Sequence, residues 1–157
     1  MSSIEYLKFE QVNPEVLMRI VNEESLRAHL VEHPYFDSKS IREWIMDKAE
    51  TDAKDGCRVR VISISGEIAG WCGIQPDDNG FEIAIVISKK FWGFGIPIFK
   101  TLKCWASELG YNEVRFHLLD TRRGYKALAK MATKICHTQL LGRNFTTYYF
   151  PIGQQNA

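Results

Sequence analysis

The sequence has no apolar run approaching the roughly 20 residues that cross a bilayer, no cysteines paired at redox or metal spacing, and no surplus of either charge. Each absence removes a class of protein. Without a spanning run, no membrane helix is expected. Met1-Ser-Ser-Ile-Glu-Tyr6 lacks a basic segment followed by an apolar one, so no secretory leader is expected and the cytoplasm is the expected location. The 20 Lys+Arg stand against 19 Asp+Glu, a formal net charge of +1, which argues against broad nucleic-acid binding. Cys57, Cys72, Cys104 and Cys136 stand apart from one another and from any histidine at zinc spacing, so they read as thiols packed among apolar neighbours, and no metal is expected. What is present is 157 residues, 45% hydrophobic and 25% charged, enough for a core that buries roughly 70% of the surface of the unfolded chain. One domain over residues 1–150 is expected, followed by a flexible tail over 151–157.

Residue patterns predict the element order. A strand over residues 6–12 ends at Asn13-Pro14, a cap followed by the residue best suited to a helix's first position. The helix that follows carries Val16, Leu17, Ile20, Val21 and Leu30 and stops at His33-Pro34. A second opens on the capping box Ser40-Ile-Arg-Glu43, with Ile41, Trp44 and Ile45 on one face. The period then changes to two. Residues 58–65 and 68–74 form a hairpin about Gly66-Glu67, and a third strand spans 81–88. A helix from Pro97 to about Leu109, a strand over 113–119, a helix over about 121–132, and strands over 135–141 and 145–150 complete the chain. The order β-α-α-β-β-β-α-β-α-β-β gives an α+β domain, a mixed and mostly antiparallel sheet flanked by helices, with one parallel crossover in the middle.

The neutral total hides a local charge. Between Glu82 and Glu108 there is no acidic residue, while Lys89, Lys90, Lys100 and Lys103 all fall there, around Gly93 and Gly95 at the start of a helix. Glycines at such a junction let the backbone meet a ligand closely or adopt positive φ, and the helix adds the positive end of its dipole. A pyrophosphate suits this site. A phosphate loop of the G-K-[ST] type is excluded because no such triplet follows. A dinucleotide fingerprint is excluded because its third glycine would be Ile98.

Lys90-Phe-Trp-Gly93-Phe-Gly95, at a strand-to-helix turn on this element order, resembles the Q/R-x-x-G-x-G/A signature of the GNAT superfamily of acyl-CoA-dependent N-acetyltransferases, with Lys in place of Gln/Arg. The resemblance covers nearly the whole chain. It implies acetyl-CoA as co-substrate, lying in a V-shaped gap between the strand over 81–88 and the strand over 113–119. The main-chain amides of Lys90, Phe91, Trp92, Gly93, Phe94, Gly95 and Ile96 would hold the pyrophosphate. The main chain of Ile85, Val86 and Ile87 would pair with the pantetheine arm, and Asp120 would supply a polar contact to it.

The reaction so implied moves an acetyl group to a primary amine, of a small molecule or a protein N-terminus, by direct transfer in a ternary complex. An ammonium must lose a proton before it can attack a thioester. Glu82 is the candidate base, because it shares a strand face with Ala84, Val86 and Ser88 while Phe81, Ile83, Ile85 and Ile87 form the other face. A solvated strand carboxylate is the plain alternative. The family's Tyr acid falls at Ala129 here, and its Gly-Phe end is missing from Leu128-Ala129-Lys130-Met131-Ala132-Thr133; Tyr125, one helical turn earlier, is the substitute acid or a packing aromatic. A main-chain N–H near Val86 or Ile87 would meet the oxyanion. His117 and His137 are further titratable candidates, and Arg122 and Arg123 either meet the adenine end or face water. Glu23, Glu24, Glu32 and Asp37 hint at a cationic acceptor. Two other readings stay open: a catalytically impaired acyl-CoA-binding or interaction module on this scaffold, and a toxin acetylating aminoacyl-tRNA. No membrane partner is expected, and a homodimer is compatible with the sequence.

Overall fold

In the computed structural model, which describes residues 3–24, 34–77, 80–119, 126–140 and 143–152, strand β1 (Ile4–Leu7) gives way to a 3-10 turn at Phe9–Gln11. The strand expected to reach Val12 stops early because Phe9 turns into the core, where it is buried. Helix α1 (Pro14–Val21) starts as the sequence suggests, with Asn13 Oδ1 accepting from the Glu15 N–H at 2.9 Å. It ends at Val21 instead of continuing to His33-Pro34, with Asn22 as its cap and the Asn22 side chain bonded to the Phe36 backbone. Helix α2 (Ser38–Asp52) is capped three residues earlier than expected. Asp37 Oδ1 accepts from the Ser40 N–H at 2.7 Å while Ser40 Oγ accepts from the Asp37 N–H at 2.9 Å. This reciprocal box makes Asp37 the cap and leaves Ser40 inside the first turn. The bond from the Ser40 backbone, with its side-chain counterpart, holds the Asp37 carboxyl below the ordinary range.

Strands β2 (Arg58–Ile64), β3 (Glu67–Asp77) and β4 (Gly80–Ile87) form an antiparallel meander. A 3-10 turn (Lys89–Phe94) leads into α3 (Gly95–Glu108), which begins two residues before the expected Pro97. Then come β5 (Glu113–Leu119), α4 (Lys126–Met131), β6 (Lys134–Leu140) and β7 (Arg143–Pro151). The seven strands lie in the order β1-β2-β3-β4-β5-β7-β6. Every neighbour is antiparallel except β4 and β5, which the α3 crossover joins in parallel. The expected α+β architecture is present. Pro151, expected to start a loose tail, pairs with Glu113, and the next residue, Ile152, is buried with its N–H on Asn112 O at 2.8 Å.

Both faces of the sheet are covered. Ile98, Phe99, Leu102 and Ala106 of α3 pack on Ile74, Ile83, Phe116 and Phe150, while Leu17 and Val21 of α1 and Ile41 and Ile45 of α2 pack on Val59, Val61, Trp71 and Val86. Alternation along β4 therefore sends Ile83 and Ile87 to the α3 face and Glu82, Ala84 and Val86 to the α1/α2 face.

Two irregularities shape the centre. Ile62 faces Gly70 but Ser63 faces Ile68, so Ala69 is the extra residue of a bulge in β3. Gly70 has φ +152°, and a Cβ there would lie 2.0 Å from Val86 O. Only glycine lets β3 press this closely on the end of β4. On the other side of β4, pairing with β5 covers only Glu82–Arg115 and Ile83–Phe116. Beyond Ile83 the two strands part.

Candidate active site

The parted strands leave peptide groups turned into the gap. The Ser88 N–H donates to Ala69 O at 2.8 Å, so strict alternation along an antiparallel pair turns the peptides of residues 82, 84 and 86 to β3 and those of 83, 85 and 87 the other way. Ile83 still faces Phe116 of β5. Ile85 and Ile87 face the gap, where the indole Nε1 of Trp92 donates to Ile87 O at 3.1 Å. The Val86 N–H points to β3, which narrows the choice of oxyanion donor to the odd-numbered positions.

The turn that follows closes one end of the gap. Phe91 is buried in the α3-side core and anchors it, while Trp92 and Ile96 are each 39% exposed. Neither Gly93 nor Gly95 adopts positive φ, contrary to one reason given for them. Gly95 is helical, at φ −58° and ψ −42°. The other reason fits: a Cβ at either position would meet nothing within 4 Å, so the backbone there is open to a ligand. Helix α3 begins without a side-chain cap and without an acidic residue in its first turn, and its first N–H groups suit an anion. The lysine patch is less one-sided than the sequence suggests, because Lys90 Nζ pairs with Glu67 Oε2 at 2.8 Å. A diphosphate fits the residues present.

The other end of the gap carries a row of polar side chains across the α1/α2 face. Lys48 Nζ of α2 donates to Gln75 Oε1 at 2.7 Å. Gln75 Nε2 of β3 donates to Glu82 Oε1 of β4 at 3.0 Å. Glu82 Oε2 lies 3.6 Å from His117 Nε2 of β5, and His117 Nδ1 lies 2.8 Å from Thr147 Oγ1 of β7. Side-chain exposure is 7% for His117 and 21% for Glu82, so the carboxylate keeps a path to solvent that the imidazole nearly lacks. Burial pushes the Lys48 ammonium down to about 8, against the opposing charges of Glu82 and Asp47.

Several solved structures share this arrangement of elements. A GNAT-family protein of Chromobacterium violaceum superposes with a TM-score of 0.70 at 19% identity, covering 99% of this chain and 90% of that one. An N-acetyltransferase of Staphylococcus aureus gives 0.66 at 13% identity, covering 98% and 99%. The protein yncA of Salmonella typhimurium, whose structure holds its cofactor acetyl-CoA, gives 0.65 at 13% identity, covering 100% and 97%. The fold is the GNAT fold. No family model and no curated protein matches the sequence.

On the GNAT fold the sequence candidates distribute unevenly. Glu82 and His117 come together at the last paired residues of β4 and β5, and Ile85, Ile87 and Lys90 to Ile96 line the gap and its closing turn. Val86, expected to pair with the pantetheine arm, does not, because its peptide turns to β3 and its side chain is buried against α1 and α2. Tyr125, Asp120, Arg122, Arg123 and Glu32 lie outside the described residues. His137 is exposed on β6, and Ala129 is exposed on α4. Three of the proposed acceptor-side carboxylates have partners of their own: Glu23 Oε1 accepts from Ser88 Oγ at 2.7 Å, Glu24 accepts from the Tyr35 hydroxyl, and Asp37 caps α2. Cys57 and Cys72 are buried, with burial raising both thiols, but Cys104 is exposed. Among the described residues, no group of three or more His, Cys, Asp and Glu could hold a metal ion, and no helix is long and apolar enough to cross a membrane.

Sequence reading missed Lys48, Gln75 and Thr147. The signal for Lys48 was there: it stands seven residues after Ile41, a cation on the buried stripe of its helix.

Proposed function

We propose that this chain is an N-acyltransferase that moves an acetyl group from acetyl-CoA to a primary amine by direct transfer in a ternary complex. One observation carries the reading: the β4–β5 ladder ends at Glu82–Arg115 and Ile83–Phe116, and the Glu82 carboxylate, with His117 Nε2 at 3.6 Å, stands at that same point. A thioester laid along β4 would bring its acyl carbon near the base. The likeness of fold to a protein that holds acetyl-CoA supports the choice of donor.

In this reading the turn at Lys90 to Ile96 and the first turn of α3 bind the pyrophosphate, and the gap-facing peptides of Ile85 and Ile87 align the pantetheine arm. Acetyl-CoA supplies the activated acyl group. Glu82 takes a proton from the acceptor ammonium, directly or through one water, so that the amine nitrogen can bond to the thioester carbon. The N–H of Ile85 or Ile87 meets the developing oxyanion. The carbon–sulfur bond breaks, Tyr125 is the proposed donor of the proton that the thiolate takes up, and the second proton lost by the amine nitrogen restores the Tyr125 phenol. Asp120 is proposed to contact the pantetheine.

A second reading, acyl-CoA binding without transfer, draws on Ala129 standing where the family's acid is expected. Two measurements separate them. A rise in melting temperature with acetyl-CoA is common to both. Acetylated products, sought by mass spectrometry across small amines, peptide N-termini and aminoacyl-tRNA, appear only with the enzyme. Absence of any acetyl-CoA-dependent melting shift refutes both.

A further inference from the structure

Lys48 is a cation in a place that normally takes an apolar residue. It lies on the stripe of α2 that contains Ile41 and Ile45, over the sheet. Its Nζ is 4.0 Å from the Trp71 ring centroid and 5.6 Å from that of Trp44, and donates to Gln75 Oε1 at 2.7 Å. An ammonium has donors only, so it dictates which end of the Gln75 amide faces it. The carbonyl end turns to Lys48, and the NH₂ end must then turn to Glu82, where it donates to Oε1 at 3.0 Å. A flipped amide would set NH₂ against the ammonium and a carbonyl against the carboxylate. Among the described residues, the charged groups acting on Lys48 are Glu82 of β4 and Asp47 of its own helix, and His117 of β5 lies on the far side of Glu82.

We propose that Lys48, acting through Gln75, is the positioning residue for the candidate base: it locks the amide that holds Glu82 Oε1 and so presents Oε2 toward His117 and the acceptor. Lys48 and Gln75 are not among the residues proposed to hold the acyl donor. The inference rests on Glu82 being the base, but the coupling of Lys48 to Glu82 is measurable without any acyl transfer.

The first test is a titration of the full chain labelled with ¹³C at lysine Cε, with the Lys48 signal assigned by its loss in Lys48→Met. The midpoint is expected near 8, and in Glu82→Gln it is expected to fall by about one pH unit, as for a charge acting over several ångströms at an effective dielectric of tens. The second test is turnover with the acceptor found by the amine screen. Lys48→Met, which keeps the packing on Trp71, and Gln75→Leu, which keeps the ammonium, are each expected to lower kcat about 10- to 100-fold while the acetyl-CoA melting shift is retained. Lys48→Arg, which preserves a cation, is expected to recover part of the loss. A Lys48 midpoint unchanged by Glu82→Gln, or wild-type kcat in Gln75→Leu, overturns the proposal. If the wild-type protein acetylates no amine, the functional reading fails, and the titration still decides whether Lys48 and Glu82 are coupled.

Discussion

Raising the pH from 7 to about 10.5 should stabilise this fold through Lys48. The ammonium is held down to about 8 by burial, against an ordinary value of 10.5. Between these two values the unfolded chain binds a proton at Lys48 that the folded chain has released, so unfolding takes up protons and stability rises with pH. Below about 8 both states are protonated and the folded state bears the full cost of the buried charge. Above about 10.5 neither is protonated and the cost is gone. A span of 2.5 pH units corresponds to at most about 3 kcal/mol at 1.36 kcal/mol per unit. Tyr6 and Tyr111, whose phenols burial raises, and Cys57 and Cys72 act in the opposite direction over the same range. Comparison with Lys48→Met cancels them. Urea unfolding at pH 7, 8.5 and 10 should show wild type gaining on Lys48→Met by about 2–3 kcal/mol as pH rises. A stability difference independent of pH would refute the reasoning.

Three further outcomes follow from the geometry of the gap. Gly70→Ala places a Cβ 2.0 Å from Val86 O at φ +152°, so chemical denaturation should register a loss of about 3 kcal/mol or more. Gly95→Ala adds a methyl to a helical residue with open space around it. The melting temperature should hold or rise slightly, while acetyl-CoA affinity by calorimetry falls about tenfold or more; unchanged affinity would remove this turn from the binding site. Glu67→Gln removes the carboxylate 2.8 Å from Lys90, so acetyl-CoA should bind about two- to fivefold tighter at low ionic strength, with the gain fading in high salt.

Features that depend on neighbours in sequence were readable in advance. Alternation along β4 separated Glu82, Ala84 and Val86 from Ile83, Ile85 and Ile87, and both sets lie on the faces so assigned. The Asn13-Pro14 start of α1 is a local signal and stands where it was read. Features that depend on distant residues were not. Gln75, Glu82, His117 and Thr147 come from four neighbouring strands, β3, β4, β5 and β7, and only the sheet order brings them into one row. The bulge at Ala69 was half visible, since a glycine inside the strand pattern Ile68-Ala-Gly-Trp71 marks a close backbone approach, but its partner Val86 O could not be named. Cys104 shows the limit of reading burial from adjacent residues. Leu102 and Ala106 face the core, and Cys104 between them faces outward, because a helix turns about 100° per residue.

Release of free thiol from acetyl-CoA in the presence of an acceptor, compared between wild type and Glu82→Gln, tests most directly whether the end of the β4–β5 ladder is a catalytic centre. Wild type should release thiol in step with acetylated product. Glu82→Gln should bind acetyl-CoA within about twofold of wild type and lose about 10²–10⁴ in kcat, the range expected when a general base is removed. Wild-type turnover in Glu82→Gln would contradict the assignment of the base and, with it, the placement of the chemistry at this point of the sheet.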